Sequence, residues 1–155
     1  MQASYLRTLN ILLEDDVTVI SWKVFQATPV LVKIEIRSVA IEQLDAVALR
    51  SISTALRNGV LPKLQEIALG GCILGDEDIK DFTEALDVSG CAKQLVVLKL
   101  SDCNIKAEGL RALADLISRD GYPALKTLCL EKNSGITDLG VVALAEAILE
   151  ATQTF

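Results

Sequence analysis

Four cysteines, a run of carboxylates and a scatter of lysines and arginines are the residues of this chain with chemistry to offer. Cys72, Cys91, Cys103 and Cys129 are separated by 19, 12 and 26 residues. A zinc site or a redox pair wants two such ligands a few residues apart, and none of these gaps is that short. The chain has no histidine, so a nucleophilic thiol would lack an imidazole base and a metal site would lack a nitrogen ligand. Asp76, Glu77, Asp78, Asp81, Glu84 and Asp87 face a single Lys80, which puts −5 on residues 76–90 of a chain whose net charge is −6. Calcium would require those carboxylates to converge from a loop, whereas their spacing lays them along a helix. A basic partner could dock on such a ridge, but a solvated helix face with a charge-matched N-terminus accounts for it as well. With no glycine-rich phosphate loop and no clustered acid pair, the expectation is a non-enzymatic protein with no catalytic, cofactor or metal residues.

The cysteines take their meaning from a repeat. Leu95, Leu98, Leu100 and Cys103 read L-x-x-L-x-L-x-x-C. The same pattern recurs in Leu64, Ile67, Leu69 and Cys72, and in Leu125, Leu128, Leu130 and Asn133. A weaker copy lies in Leu31, Ile34, Ile36 and Val39, so the periods are 33, 31 and 30 residues. Such self-similarity means a solenoid. In each unit a period-two run, such as LVVLKLS, predicts a strand with one buried face. A period near 3.6 follows, predicting helices whose buried stripes are Leu44, Val47, Ala48, Ile52 and Leu56; Ile79, Phe82 and Leu86; Leu110, Leu113, Ala114 and Ile117; and Val141, Leu144, Ala145 and Ile148. Gly59, Gly90 and Gly121 stand where a helix ends in a left-handed residue. Asp76-Glu77-Asp78 and Thr137-Asp138 suit helix starts.

A strand–turn–helix unit cannot bury its own apolar face, so the copies must stack with their strands paired in parallel. Helices are wider than strands, and the stack therefore curves with the sheet inside. The position of Cys72, Cys103 and Asn133 falls where the chain leaves the strand and can satisfy loop backbone groups. Val39 cannot do so, which predicts a looser turn there. Matched turn positions also predict that Cys72 and Cys103 are buried thiols, while Cys129 points outward.

Four units are expected over residues 31–155, divided as 31–63, 64–94, 95–124 and 125–155. Residues 1–30 are expected to form an N-terminal cap: a short helix on Leu6, Leu9 and Leu13, then an edge strand at VTVISWKVF, residues 17–25, in an antiparallel hairpin with the first repeat strand. A degenerate repeat starting at Leu6 is the competing reading. Trp22 is expected to pack within this segment, with an exposed anchoring Trp as the alternative.

At 51% hydrophobic and 23% charged, 155 residues can form a core. The acidic balance argues against nucleic-acid and anionic-membrane partners, and no apolar run approaches the ~18 residues of a membrane span. Reduced thiols and the lack of a signal peptide in the first residues suggest an intracellular, cytoplasmic location.

The pattern L-x-x-L-x-L-x-x-[CN], with a further apolar residue at Leu74, Ile105 and Ile136, resembles the ribonuclease-inhibitor-like leucine-rich repeats over residues 31–150. A glycine follows at Gly109 and Gly140, whereas Asp45 and Asp78 replace it elsewhere. The resemblance implies an α/β fold, a short right-handed horseshoe with a parallel concave sheet and convex helices. It also implies intracellular protein binding, since the family holds inhibitors, innate-immune receptor arms, actin-capping proteins and a small-GTPase activator. The activator's arginine-dependent site has no recognisable counterpart here. The candidate partner surface is the concave strand face, with Lys33, Glu35, Arg37, Glu66, Val97, Lys99, Thr127, Cys129 and Glu131. The alternative for that face is a solvated sheet with cross-strand charge pairs, such as Lys33 with Glu66. A second possibility for the whole is a fragment of a larger receptor or regulator, GTPase-activator-like or immune-receptor-like, whose activity lies outside the chain. Leu139, Val142 and Leu149 keep the last helix apolar on its open side, which raises end-to-end self-association.

Overall fold

The period-two leucines form strands in the computed structural model, which describes residues 5–13, 21–38, 46–119 and 121–153. In chain order the elements are β1 (Thr8–Leu13), α1 (Lys23–Gln26), β2 (Lys33–Ser38), α2 (Val47–Arg57), β3 (Glu66–Gly70), α3 (Asp76–Val88), β4 (Val97–Ser101), α4 (Ala107–Ser118), β5 (Thr127–Cys129) and α5 (Asp138–Gln153). A 3-10 turn, Cys91–Gln94, precedes β4. The five strands make one sheet in the order β1-β2-β3-β4-β5, every pairing parallel. Helices α2 to α5 pack side by side along the other face.

Register turns the sequence pattern into a core. Ile34, Ile67, Leu98 and Leu128 align across β2 to β5, and Ile36, Leu69 and Leu100 form the next row. Leu31, Leu64 and Leu95 are fully buried beneath them. Ile52, Ile79, Phe82, Leu86, Leu110 and Leu113 close the wedge from the helix side. Leu128, which holds the same pattern position as Leu98, is only half-buried, because β5 has no strand on its far side among the described residues.

The N-terminal segment corrects the expected order of helix then strand. Thr8–Leu13 is a strand, parallel to β2 with Leu9 opposite Ile34 and Ile11 opposite Ile36. Lys23–Gln26, overlapping the end of the expected strand, is a helical turn that buries Phe25 completely. Leu6, Leu9 and Leu13 fit a helical period, but Leu9 and Ile11 also fit a strand period. The unpaired backbone edge of β2 rewards the second choice with a full ladder of hydrogen bonds. Trp22 packs against the core. Residues 17–20, Val39, Leu44 and Asp45 lie outside the described residues.

Two other expectations are revised. Gly59 and Gly90 do take left-handed backbones, at φ +67° and +73°. Gly121 does not; its N–H bonds back to the Leu116 carbonyl at 2.8 Å, and a Cβ there would collide with Leu116. The buried stripe of α5 also differs. Gly140 and Ala147 are buried and Leu144 and Ala151 are half-buried, whereas Val141, Ala145 and Ile148 are exposed. A Cβ on Gly140 would stand 3.0 Å from Leu110 Cδ2, so the missing side chain lets α5 approach α4 closely.

Candidate functional site

The concave face is built from the strand residues that alternate with the core leucines. Register sets them in rows. One row runs Thr8, Lys33, Glu66, Val97 and Thr127; the next runs Asn10, Glu35, Ala68, Lys99 and Cys129. A third row holds Leu12, Arg37, Gly70 and Ser101. A shallow groove of about 150 Å³ is lined by Lys33, Glu35, Arg37, Glu66, Ala68, Val97, Lys99 and Thr127. Seven of the nine residues singled out in the sequence are therefore brought together around Ala68. Cys129 sits beside Lys99 on the edge strand, half-buried. Glu131 lies beyond the end of β5 and is exposed, so it is outside the groove.

Thr8, Asn10 and Leu12 of β1 extend the face and were missed by a helical reading of residues 6–13. The period-two run TLNILL was the available signal. Leu12 is 56% exposed and gives this face an apolar contact at its edge.

The charges of the face fall into two groups. On the β2 side, Lys33 Nζ lies 3.2 Å from Glu35 and 3.7 Å from Glu66, and Arg37 lies 2.6 Å from Glu35. The hydrogen bond from Lys33 holds the Glu35 carboxyl below its ordinary range; partial burial opposes this, and the Arg37, Lys33 and Lys99 charges assist it. Lys99 is exposed and joins no salt bridge among the described residues. The groove thus offers an exposed ammonium, outside any salt bridge among the described residues, over a floor of Ala68, next to a charge-balanced cluster.

The acidic helix α3 does not face Lys80 alone. Arg50 from α2 pairs with Asp78 at 2.9 Å, and Arg57 pairs with Asp81 at 2.8 Å and Glu84 at 3.5 Å. Arg119, just past α4, reaches Asp87 at 3.8 Å, while Lys80 holds Glu77. Asp76 turns the other way, accepting the Gly109 N–H at the start of α4 at 3.0 Å. Those carboxylates tie three helices together, which accounts for the ridge without a basic partner.

The thiols are structural. Cys103 Sγ lies 3.3 Å from the Ser101 carbonyl and 3.6 Å from that of Leu69, and Cys72 Sγ lies 3.7 Å from that of Gly70. The neighbouring Cys72 and burial both push the Cys103 thiol far up. Burial raises Cys91 to about 11. No disulfide links the four cysteines, and Cys129 alone among them is not buried. Among the described residues no three His, Cys, Asp or Glu side chains converge on a metal position, and no helix is long and apolar enough to cross a membrane.

A parallel sheet of period-two strands, an outer layer of helices, and a buried Cys72, Cys103 or Asn133 at the turns after β3, β4 and β5 define a leucine-rich-repeat solenoid of the ribonuclease-inhibitor-like type. Comparison with known proteins agrees: a leucine-rich-repeat family model matches residues 94–114. The chain is also similar to the human (Homo sapiens) NACHT, LRR and PYD domains-containing protein 5, with 36% identity over 73 residues. That match covers 47% of this chain and spans 6% of the length of the human protein. Leucine-rich-repeat domains generally bind proteins and are generally non-catalytic.

Proposed function

We propose that this chain is a non-enzymatic scaffold that contacts a protein partner with its concave strand face. The supporting observation is Lys99, an ammonium that joins no salt bridge among the described residues, beside a groove that opens over Ala68. A carboxylate-bearing segment laid across the strands would pair with Lys99, place small side chains over Ala68 and Gly70, and meet Val97 and Thr127 on one flank. The Lys33–Glu35–Arg37–Glu66 cluster would then set register through its fixed charges and contribute little affinity. Nucleic acid and anionic membrane do not suit a chain of net charge −6. Mostly buried thiols with no disulfide among them go with an intracellular, cytoplasmic setting.

A second reading has its own support. The human relative is far longer than the matched segment, so the repeats could serve as the recognition part of a larger receptor or regulator whose activity lies elsewhere. The exposed apolar side of α5 favours a further contact, end-to-end association of the array.

Affinity capture from a native extract with the unmodified chain, Lys99→Glu and Glu146→Lys tests the concave reading. A specific partner should be retained by the unmodified chain and by the convex-side variant, and lost with Lys99→Glu. Equal capture by all three would move the binding surface off the concave face.

A further inference from the structure

We propose that the rim where the chain enters its strands docks an extended acidic segment of a partner protein on Lys63, Lys93 and Lys126. This rests on the concave reading above, and adds the partner's chemistry and the side from which it reaches Lys99.

The turns that carry the three lysines lie side by side. The sheet ladder runs on past the strands toward this rim. Gln65 and Glu66 donate their N–H groups to the Val32 carbonyl, Val96 and Val97 to that of Gln65, and Lys126 and Thr127 to that of Val96. Gln94 Nε2 also donates to the Pro62 carbonyl at 2.8 Å, which ties the turn of Lys93 to the turn of Lys63. Neighbouring strands stand about 4.8 Å apart, and long lysine stems span the small offsets between turns. Between the first two turns is a hollow of about 280 Å³, bordered by Leu56, Leu61, Pro62, Gly90, Cys91 and Gln94. One apolar side chain of the docked segment fits there.

Charge sets this rim apart. Residues 58–65, 89–96 and 121–126 contain Lys63, Lys93 and Lys126 and no carboxylate, in a chain of net charge −6. All three lysines are exposed and enter no salt bridge among the described residues. The opposite rim is balanced: residues 71–75 are uncharged, Lys106 offsets Asp102, and Lys132 offsets Glu131. The convex side carries the carboxylates of α3. A negative segment is therefore drawn to one rim and held off the helices.

Helix dipoles do not account for these lysines. That effect falls off within the last turn, where Arg57 already stands in α2, and the lysines follow after the helices have ended. Nor does nucleic acid suit the rim. A phosphate backbone is charged throughout, whereas a peptide can space its carboxylates to meet the lysines and miss Glu66. A segment along the rim borders the first row of the concave face. Lys99 stands two residues beyond Val97 in β4, about 7 Å further in, and takes the next carboxylate.

Fluorescence anisotropy on the full chain tests this with three labelled probes. One is a short peptide of alternating Glu and Ser around a central Leu, the second is its Gln-for-Glu twin, and the third is a thymidine oligonucleotide. The Glu peptide should bind at low salt and weaken as salt is added, and the Gln twin should not bind. Lys63→Glu with Lys93→Glu should weaken binding at least about tenfold. Lys106→Glu with Lys132→Glu, an equal change of net charge on the opposite rim, should weaken it less than about twofold. Should the first pair misfold, Lys63→Gln with Lys93→Gln should still weaken it about threefold or more. Absence of Glu-peptide binding, equal weakening by the two charge-reversed pairs, or oligonucleotide binding as tight as the peptide's would each overturn the proposal. The concave reading survives all three outcomes if Lys99→Glu still abolishes capture of a specific partner, and it fails separately if capture is unchanged.

Discussion

Asn133 Oδ1 accepts the backbone N–H of Cys103 at 2.9 Å, joining the turn of one repeat to the turn of the repeat before it. The same oxygen accepts the Ile105 N–H at 3.0 Å, and Nδ2 donates to the carbonyls of Leu100 at 2.7 Å and Leu130 at 2.8 Å. One repeat earlier, Cys103 reaches the Leu69 carbonyl at 3.6 Å through a thiol, a weaker donor and acceptor than an amide. Residues with similar positions in the pattern therefore do unequal work, and Asn133 carries the most.

Replacing Asn133 with Ala should leave buried donors and a buried acceptor without partners. The expected loss is at least about 1–3 kcal/mol in urea denaturation, the penalty for a single buried group left unpaired. Asn133→Cys, copying the earlier turn, should recover part of it. Equal stability of all three proteins would show that water satisfies this turn.

Leu98 and Leu128 share a row but not an environment. Leu98→Ala, at a fully buried site, should cost about 2–5 kcal/mol. Leu128→Ala should cost clearly less at low protein concentration, since its outer side is open. Its cost should rise with concentration if a second copy covers that side. Equal costs at high dilution would contradict the exposure of β5.

Thiol titration without denaturant should label Cys129 quickly and Cys72, Cys91 and Cys103 slowly. The three slow cysteines are buried, and the raised pKa values of Cys91 and Cys103 keep those two protonated at neutral pH. Rapid modification of Cys72 or Cys103 would break the register of the turns.

Glu35 gives the concave face a pH signature. Its pKa in the folded chain lies below the ordinary 4.5, through Lys33 first and Arg37 next. Lowered on folding, it stabilises the protein fully above the unfolded value and loses that contribution as pH falls through the folded one. Glu35→Gln should therefore lower the melting temperature at pH 7, and the gap should close well below pH 4.5. A gap that persists at pH 3 would mean that the side chain acts through packing and not through charge.

Much of the fold was legible because the information is local and repeated. Leu95, Leu98, Leu100 and Cys103 each say which way a side chain points relative to its neighbours, and three approximate copies of the pattern leave one way to bury them all. The candidate groove was legible for a similar reason: residues between core leucines in a parallel sheet must share its other face, which put Lys33, Glu35, Glu66 and Lys99 together. Glu131 fell outside because β5 ends at Cys129, where the pairing with β4 stops.

Residues 6–13 show where local pattern runs out. Leu6, Leu9, Ile11 and Leu13 suit a helix and a strand about equally, and the choice was made by β2, whose open edge lies some twenty residues away in the chain. The acidic run of α3 is a similar case, since Arg50, Arg57 and Arg119 reach it from other helices. So is α5, whose periodicity favoured Val141 and Ile148 for burial. Close packing of α5 on α4 instead selected the small side chains of Gly140, which meets Leu110, and Ala147. The periodic leucines by themselves determined that the chain stacks strand on strand and helix on helix, because burial of one face depends only on spacing. Which carboxylates are neutralised, which lysines stay outside salt bridges and which apolar side chains remain uncovered were decided by the tertiary structure, because each depends on a neighbour that sequence distance does not reveal.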